Sequence, residues 1–328
     1  MRLLSRCYIL AMLILPGIFS SFVYPQGSGY KVNGTINIGG GNRWDYIAVD
    51  TVAHRLYVTH ASEVNIIDND KNTIIRTIPN LSGVHGVAIA YEFNKGFISN
   101  GRNNSVTVFD LKTFNVLDSI KIDGKGPDAI VYDSFSKRVF TFNGKSSNAT
   151  AIDAQTDKIV GTVTLEAGPE FAVSGGDGKM YVNIEDKSDI QQFDAQTLTV
   201  TATWPLAPGE KPSGLAIDRA HKILFSGCHN KLMTILSAET GKVLTSLPIG
   251  DRIDACAFDP GTGLAFSSNG DGTITVIKED SPEKFEVIDN VTTQKGARTM
   301  AVDENTHRLF TVTMLDGKNF GVIVLDRK

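Results

Sequence analysis

WDYIAVDTVAHRLYVT, residues 44–59, alternates apolar and polar residues up to Asp50, turns through TVAH and resumes as a second strand carrying Tyr57. Period-two alternation marks a strand half-buried in a sheet, and an Asp can hold a tight turn by bonding backbone two residues ahead. The pattern returns in PDAIVYDSFSKRVFTF (127–142), PSGLAIDRAHKILFSG (212–227) and IDACAFDPGTGLAFSS (253–268). Three further copies are VHGVAIAYEFNKGFIS (84–99), PEFAVSGGDGKMYVN (169–183) and ARTMAVDENTHRLFTV (297–312). The aligned aromatics Tyr57, Phe97, Phe140, Tyr181, Phe225, Phe266 and Phe310 stand 40 to 44 residues apart. One four-stranded propeller blade occupies about 40–45 residues.

A third strand follows each pair: VNIID (64–68), VTVFD (106–110), ATAID (149–153), IQQFD (190–194), MTILS (233–237), ITVIK (274–278) and VIVLD (322–326). Fourth strands such as KIVGTVTL (158–165) and KVLTSLPI (242–249) complete the unit. The seventh copy stops at Asp326-Arg327-Lys328, after its third strand, and YKVNGTINI (30–38) supplies the missing fourth. The expectation is an all-β, seven-bladed β-propeller of four-stranded antiparallel blades, its ring closed by the N-terminal strand joining the last blade. Closure removes the unpaired edge that an open solenoid would leave, and an open solenoid gives no reason for the matched ends.

The chain has 328 residues, 41% hydrophobic and 21% charged, an ordinary globular composition. Propellers exceed the usual domain length as single units, and 31 glycines suit many turns. The formal net charge is −4, and −6 without Arg2 and Arg6. Such a balance disfavours nucleic-acid binding, which needs a basic stripe to neutralise phosphates. Arg2 and Arg6 precede an apolar run from Cys7 to Phe19, broken at Pro16-Gly17. The uninterrupted part is about 10 residues, against roughly 20 for a spanning helix. Residues 1–26 therefore read as a signal peptide and 27–328 as the propeller, with a periplasmic or extracellular destination and no membrane span after signal removal. An exported protein could pair Cys228 with Cys256, but their strand positions favour two buried free thiols.

Leu56-Tyr57-Val58-Thr59, with weaker forms MYVN (180–183) and LFTV (309–312), resembles the motif of the YVTN-repeat β-propellers, the YncE-like family. The resemblance covers about 30–328. It implies a propeller and export to the periplasm or cell surface, and it implies no reaction. No blade ends in the Trp-Asp of WD repeats, since Trp44-Asp45 stands before a first strand, and the Gly-Gly pattern of kelch blades is absent.

Function in a propeller concentrates on loops held by rigid blades. The residue opening each first strand is Asp45, His85, Asp128, Glu170, Ser213, Asp254 and Arg298 in turn. These should circle one mouth of the channel, as a site for a cation, a metal or a small polar ligand, or else as caps on the strand starts. Crowded carboxylates raise one another's pKa unless a cation sits among them. Loops joining second and third strands share this face. They carry Arg102, Asn143, Lys145, Glu185, Lys187, His229, Asn230, Lys231 and Asn269, a basic fringe around an acidic mouth. Asn143-Gly144 and Asn269-Gly270 also read as tight turns.

Only His85 of the six histidines falls in the inner ring, which excludes a poly-histidine copper cluster. One His beside carboxylates can serve acid–base catalysis. Glu170 with Asp128 or Asp254 and Asn143 or Asn230 would give an oxygen-rich set suited to Ca²⁺ or Mg²⁺. GGGNR (39–43) lacks the Lys-Ser/Thr and helix of a phosphate loop. The expectation is a monomeric, non-catalytic binding or scaffold module with no cofactor, holding a small polar ligand, peptide or protein partner at the mouth. A metal-assisted, lactonase-like hydrolase or lyase at the same mouth is the alternative. A nucleic-acid-binding propeller stands third.

Overall fold

The computed structural model describes residues 27–41 and 44–328; the signal expected over 1–26 lies outside them. The first hairpin shows how each repeat folds. Trp44–Asp50 pairs antiparallel with Arg55–His60. Between them Asp50 accepts the backbone N–H groups of Val52 and Ala53 at 3.0 and 2.8 Å. His54 closes the turn in the left-handed conformation, at φ 53°. Asp133, Asp218, Asp259 and Asp303 cap the equivalent turns in the same way. Asp68, Asp110, Asp153 and Asp194 do so at the ends of third strands. Backbone donors at these turns lack ladder partners, and the carboxylates provide them where the ladder stops.

The strands form seven four-stranded sheets. The innermost strands are Trp44–Asp50, Val84–Ala90, Pro127–Asp133, Pro169–Ser174, Pro212–Asp218, Ile253–Asp259 and Arg298–Asp303. Among the described residues the only helical turns are two short 3₁₀ segments, Tyr91–Phe93 and Glu185–Lys187. All seven aligned aromatics are buried, none more than 1% exposed. They fill the seams between blades: Phe225 stacks on Phe258 of the next blade with centroids 5.2 Å apart, and Tyr57 meets Phe109 at 5.8 Å. Each such side chain contributes up to about 3 kcal/mol of burial.

Polar clamps run between blades at the outer end of the second strands. Arg55 donates to the carbonyl of Leu111 and Arg138 to that of Ala195, both at 2.7 Å. Arg308 makes the same reach from blade seven to blade one, donating to the carbonyl of Asn69 at 2.6 Å. The Asn69 amide answers by donating to Asp303 at 2.7 Å.

Tyr30–Asn37 lies antiparallel on Asn319–Arg327, with Tyr30 opposite Arg327 and Asn37 opposite Gly321. The ring closes where the sequence places it. The Tyr30 ring meets Phe266 edge-on at 5.3 Å, and its hydroxyl donates to the carbonyl of His307 at 2.8 Å. Cys228 and Cys256 are free, buried thiols, and burial pushes Cys228 up to about 11.

Candidate functional site

Every innermost strand loses its pairing register at the same end. The breaks fall between Trp44 and Ile47, Val84 and Val87, Pro127 and Ile130, Pro169 and Ala172, and Pro212 and Leu215. Shorter breaks lie between Ile253 and Ala255 and between Arg298 and Met300. A bulge re-aims side chains, and these bulges hold Asp45, His85, Asp128, Glu170, Ser213 and Asp254. In blade seven the bulged residue is Thr299, at φ 52°, one place beyond Arg298.

Second strands take up backbone groups that the bulges release. Thr59 donates to the carbonyl of Tyr46 at 2.8 Å, Ser99 to that of Asp128 at 2.5 Å and Thr311 to that of Thr299 at 2.8 Å. Asn183 donates to the carbonyls of Ser213 and Gly214 at 2.8 and 3.1 Å. Thr59 ends the Leu56–Thr59 motif, so that motif serves both the core, through Tyr57, and the mouth.

The second bulged residue differs between blades. Gly86 and Gly214 permit close approach of the next blade: a Cβ on Gly214 would lie 2.4 Å from the backbone nitrogen of Cys256. Tyr46 and Phe171 instead meet each other, with centroids 4.7 Å apart. They come from blades one and four, on opposite sides of the ring, so this pair bridges the channel directly beneath the acids. The repeat does signal it, as the aromatic following the mouth residue in WDYI and PEFA.

Above this aromatic floor the acids crowd together. His85 Nδ1 lies 2.5 Å from Asp45 and 3.3 Å from Asp128. Burial opposes protonation of His85, but hydrogen bonds to Asp128 and Asp45 hold it well above the usual histidine range. Burial also raises Asp45, offset in part by its bond to His85. Burial pushes Glu170 up to about 8, and the charges bearing on it most, Asp128, Glu185, Asp45 and Asp254, are all negative. Asp254 is raised by burial despite the opposing pull of Arg298. Burial and the same ring of carboxylates lift the Tyr46 hydroxyl far above its ordinary value.

The outer residues divide into two groups. The stem of Arg102 lies over Gly83, where a Cβ would stand 2.6 Å from its Cγ. With Trp44, Asp45 and His85 it lines a cleft of about 190 Å³. Lys145 is exposed and lies similarly over Gly126. Arg298 is exposed and shares a second cleft, of about 270 Å³, with Trp44 and Arg252. His229 and Glu185 face each other at 3.7 Å.

The asparagines face their own blades or loops. Asn143 donates to Asn148 and Thr150 at 2.8 and 3.0 Å, and Asn269 to Thr273 and Thr275 at 3.1 and 3.0 Å. Asn230 donates to the carbonyl of Pro208 and accepts from the Glu210 backbone. Their amide nitrogens are thus taken, and the structure does not bring Asn143 or Asn230 to Glu170 as hydrogen-bond partners.

A second constellation stands on the opposite face, Asp218, His221 and Glu279, which the spacing of the repeats does not pick out. His221 stands in a turn, and Glu279 lies in KEDSPEK (278–284), an extension of blade six absent from the DAQT-type turns of other blades. That extension was the available signal.

No protein-family model matches the chain. It is similar to the uncharacterized protein YncE of Salmonella typhi, at 26% identity over 153 residues, 44% of this chain and 43% of that protein. It is similar also to antigen Lp49 of Leptospira interrogans, at 24% identity over 213 residues, 60% of this chain and 46% of that protein. The matched regions span a little under half the length of these relatives. A chain in the crystal structure of a mitotic checkpoint complex superposes with a TM-score of 0.79, covering 98% of both chains at 12% identity. That likeness concerns the fold alone.

Proposed function

We propose that this propeller is an exported binding module whose channel mouth takes a cationic group, the ammonium or guanidinium of a small molecule or of a peptide side chain. The observation that carries this reading is Glu170: a part-buried carboxyl over an aromatic floor, surrounded by acids. A bound cation would relieve that repulsion, and ring faces attract cations as well. The mouth then recognises its ligand by charge and shape, with no cofactor and no second copy of the chain. The negative total charge speaks against nucleic acid as partner. Export rests on the pattern of residues 1–26 and accords with the description of one relative as an antigen.

Calorimetry with putrescine, arginine amide and short Lys- or Arg-bearing peptides tests the reading. Wild type should bind at pH 8, and Glu170→Gln with Asp254→Asn should weaken binding about tenfold or more, the worth of one charge-assisted hydrogen bond. Equal binding by the variant, or preference for anions, would overturn it. Fractionation of cells expressing the chain with and without residues 2–26 tests export.

A second reading, metal-assisted hydrolysis or lysis at the same mouth, draws on ligand atoms of Asp45, His85 and Asp128 that all lie within 4.8 Å of one another. Ca²⁺ and Mg²⁺ titrations of wild type against Asp128→Ala with Glu170→Ala decide it: identical heats remove the metal.

A further inference from the structure

The lower face carries a group that no repeat rule requires. Asp218 ends the innermost strand of blade five, and His221 follows in its turn. Glu279 comes from blade six, whose third and fourth strands, Thr273–Ser281 and Lys284–Thr292, run nine residues each. The longer hairpin carries Glu279 past the edge of the blade, where its backbone N–H donates to the Gly263 carbonyl at 2.9 Å. His221 Nδ1 then lies 2.6 Å from Asp218 Oδ2 and 3.0 Å from Glu279 Oε1. Two loops from different blades thus aim three ligand-type atoms at one point.

The burial is uneven. The side chain of Glu279 is 3% exposed and that of Asp218 4%, whereas that of His221 is 52% exposed. Neither Glu279 oxygen has a hydrogen-bond donor of its own. His221 Nδ1 lies nearer to Asp218 than to Glu279. A buried carboxylate without donors is costly, and such groups in native proteins are paired or bind a metal. The carboxylates open onto a cavity of about 270 Å³, lined also by Phe258, Pro260 and Pro282.

We propose that Asp218, His221 and Glu279 form a binding site for a divalent first-row transition-metal ion, Zn²⁺ being the best match, that clasps blade five to blade six. Bonds of about 2.0–2.2 Å to oxygen and imidazole nitrogen place tetrahedral neighbours roughly 3.4 Å apart, so His221 Nδ1, now 2.6 and 3.0 Å from the two carboxylates, moves outward by less than about 1 Å to admit the ion. Two carboxylates and a neutral imidazole balance the 2+ charge. The Nδ1 proton leaves to solvent on binding, and the exposed Nε2 keeps its hydrogen. The mixed N/O set and the small number of protein ligands disfavour Ca²⁺, which takes 6–8 oxygens. The cavity leaves room for water as a fourth ligand.

Calorimetry on the chelator-treated protein with Zn²⁺ at pH 7 is the test, with Mg²⁺ for comparison and Co²⁺ absorption as a report on coordination number. The expected result is one ion per chain, with no comparable heat from Mg²⁺. Zn²⁺ should raise the melting temperature. Glu279→Gln and His221→Gln should each weaken binding by at least about tenfold, the lower bound for loss of even an outer-sphere contact. His85→Gln, at the mouth, should leave it unchanged. Melting of each variant in chelator confirms that it is folded. No saturable Zn²⁺ binding by wild type overturns the proposal, as does binding lost in His85→Gln but kept in Glu279→Gln.

Discussion

The mouth cluster and the lower cluster use the same parts, one imidazole between two carboxylates, and differ in what water reaches. At the mouth, His85, Asp45 and Asp128 are each about one-third exposed, at 33%, 35% and 34%. Below, the two carboxylates are almost wholly buried beside a cavity, and the imidazole is half exposed. Water at the mouth tolerates unmatched charge. The buried pair below is costly unless a proton or a cation neutralises it. The two also differ in origin: the mouth arises from bulges found in all seven blades, the lower cluster from a hairpin that lengthens in blade six.

Substitutions that treat the clusters alike should therefore give unlike results. The largest contrast is expected for Asp218→Ala against Asp128→Ala. Asp218 caps the Ala220 and His221 backbone as well as holding the imidazole, so its loss removes three hydrogen bonds from one turn. Thermal melts should show a cost of about 2–3 kcal/mol, on the order of 5 °C, and less than about 1 kcal/mol for Asp128→Ala.

Next comes Glu279→Gln in chelator. Burial and the Asp218 charge push Glu279 up to about 7, above its ordinary 4.5. The folded state thus binds this proton more tightly, so the contribution of Glu279 to stability is full below about 4.5 and is lost as pH climbs through 7. The variant should be about 1–2 kcal/mol more stable than wild type at pH 8 and equal to it near pH 4, by urea melts.

Glu170→Gln should repeat that sign at the mouth, with the loss running from about 4.5 to 8 but reaching only about 0.5–1 kcal/mol because solvent screens the group. The smallest effect belongs to His85→Gln. A histidine raised by its partners stabilises the fold fully below its unfolded pKa, near 6.5, and loses that contribution as pH rises through the higher folded value. The variant should be weaker at pH 6 by under about 1 kcal/mol, and the gap should narrow in alkaline melts.

The propeller was readable because each blade repeats one local grammar: the seven aromatics chosen by alignment are the seven buried ring seams, and YKVNGTINI lies where the last blade lacks a strand. The mouth residues were readable as positions but not as directions. Thr299 takes the bulge where strict spacing points to Arg298, because the break in blade seven falls one residue later than in blade six and leaves Arg298 paired with Val312. Asn143 and Asn269 turn inward because hydroxyls of their own third strands lie in reach. Tyr46 with Phe171 across the ring, and His221 with Glu279 between neighbouring blades, join residues more than one repeat apart. They depend on strand tilt and hairpin length, which a linear pattern does not encode.

The pairing of Tyr30 with Arg327 has a mechanical consequence. The antiparallel register brings both ends of the propeller to one point on the rim, beside the His307 turn and away from the mouth. A load applied between residues 27 and 328 would peel this seam one residue pair at a time, like a zipper, rather than shear it all at once. A tether joined at residue 27 leaves from that rim, so a pull on it bears on the seam and not on the loops at the other end of the channel.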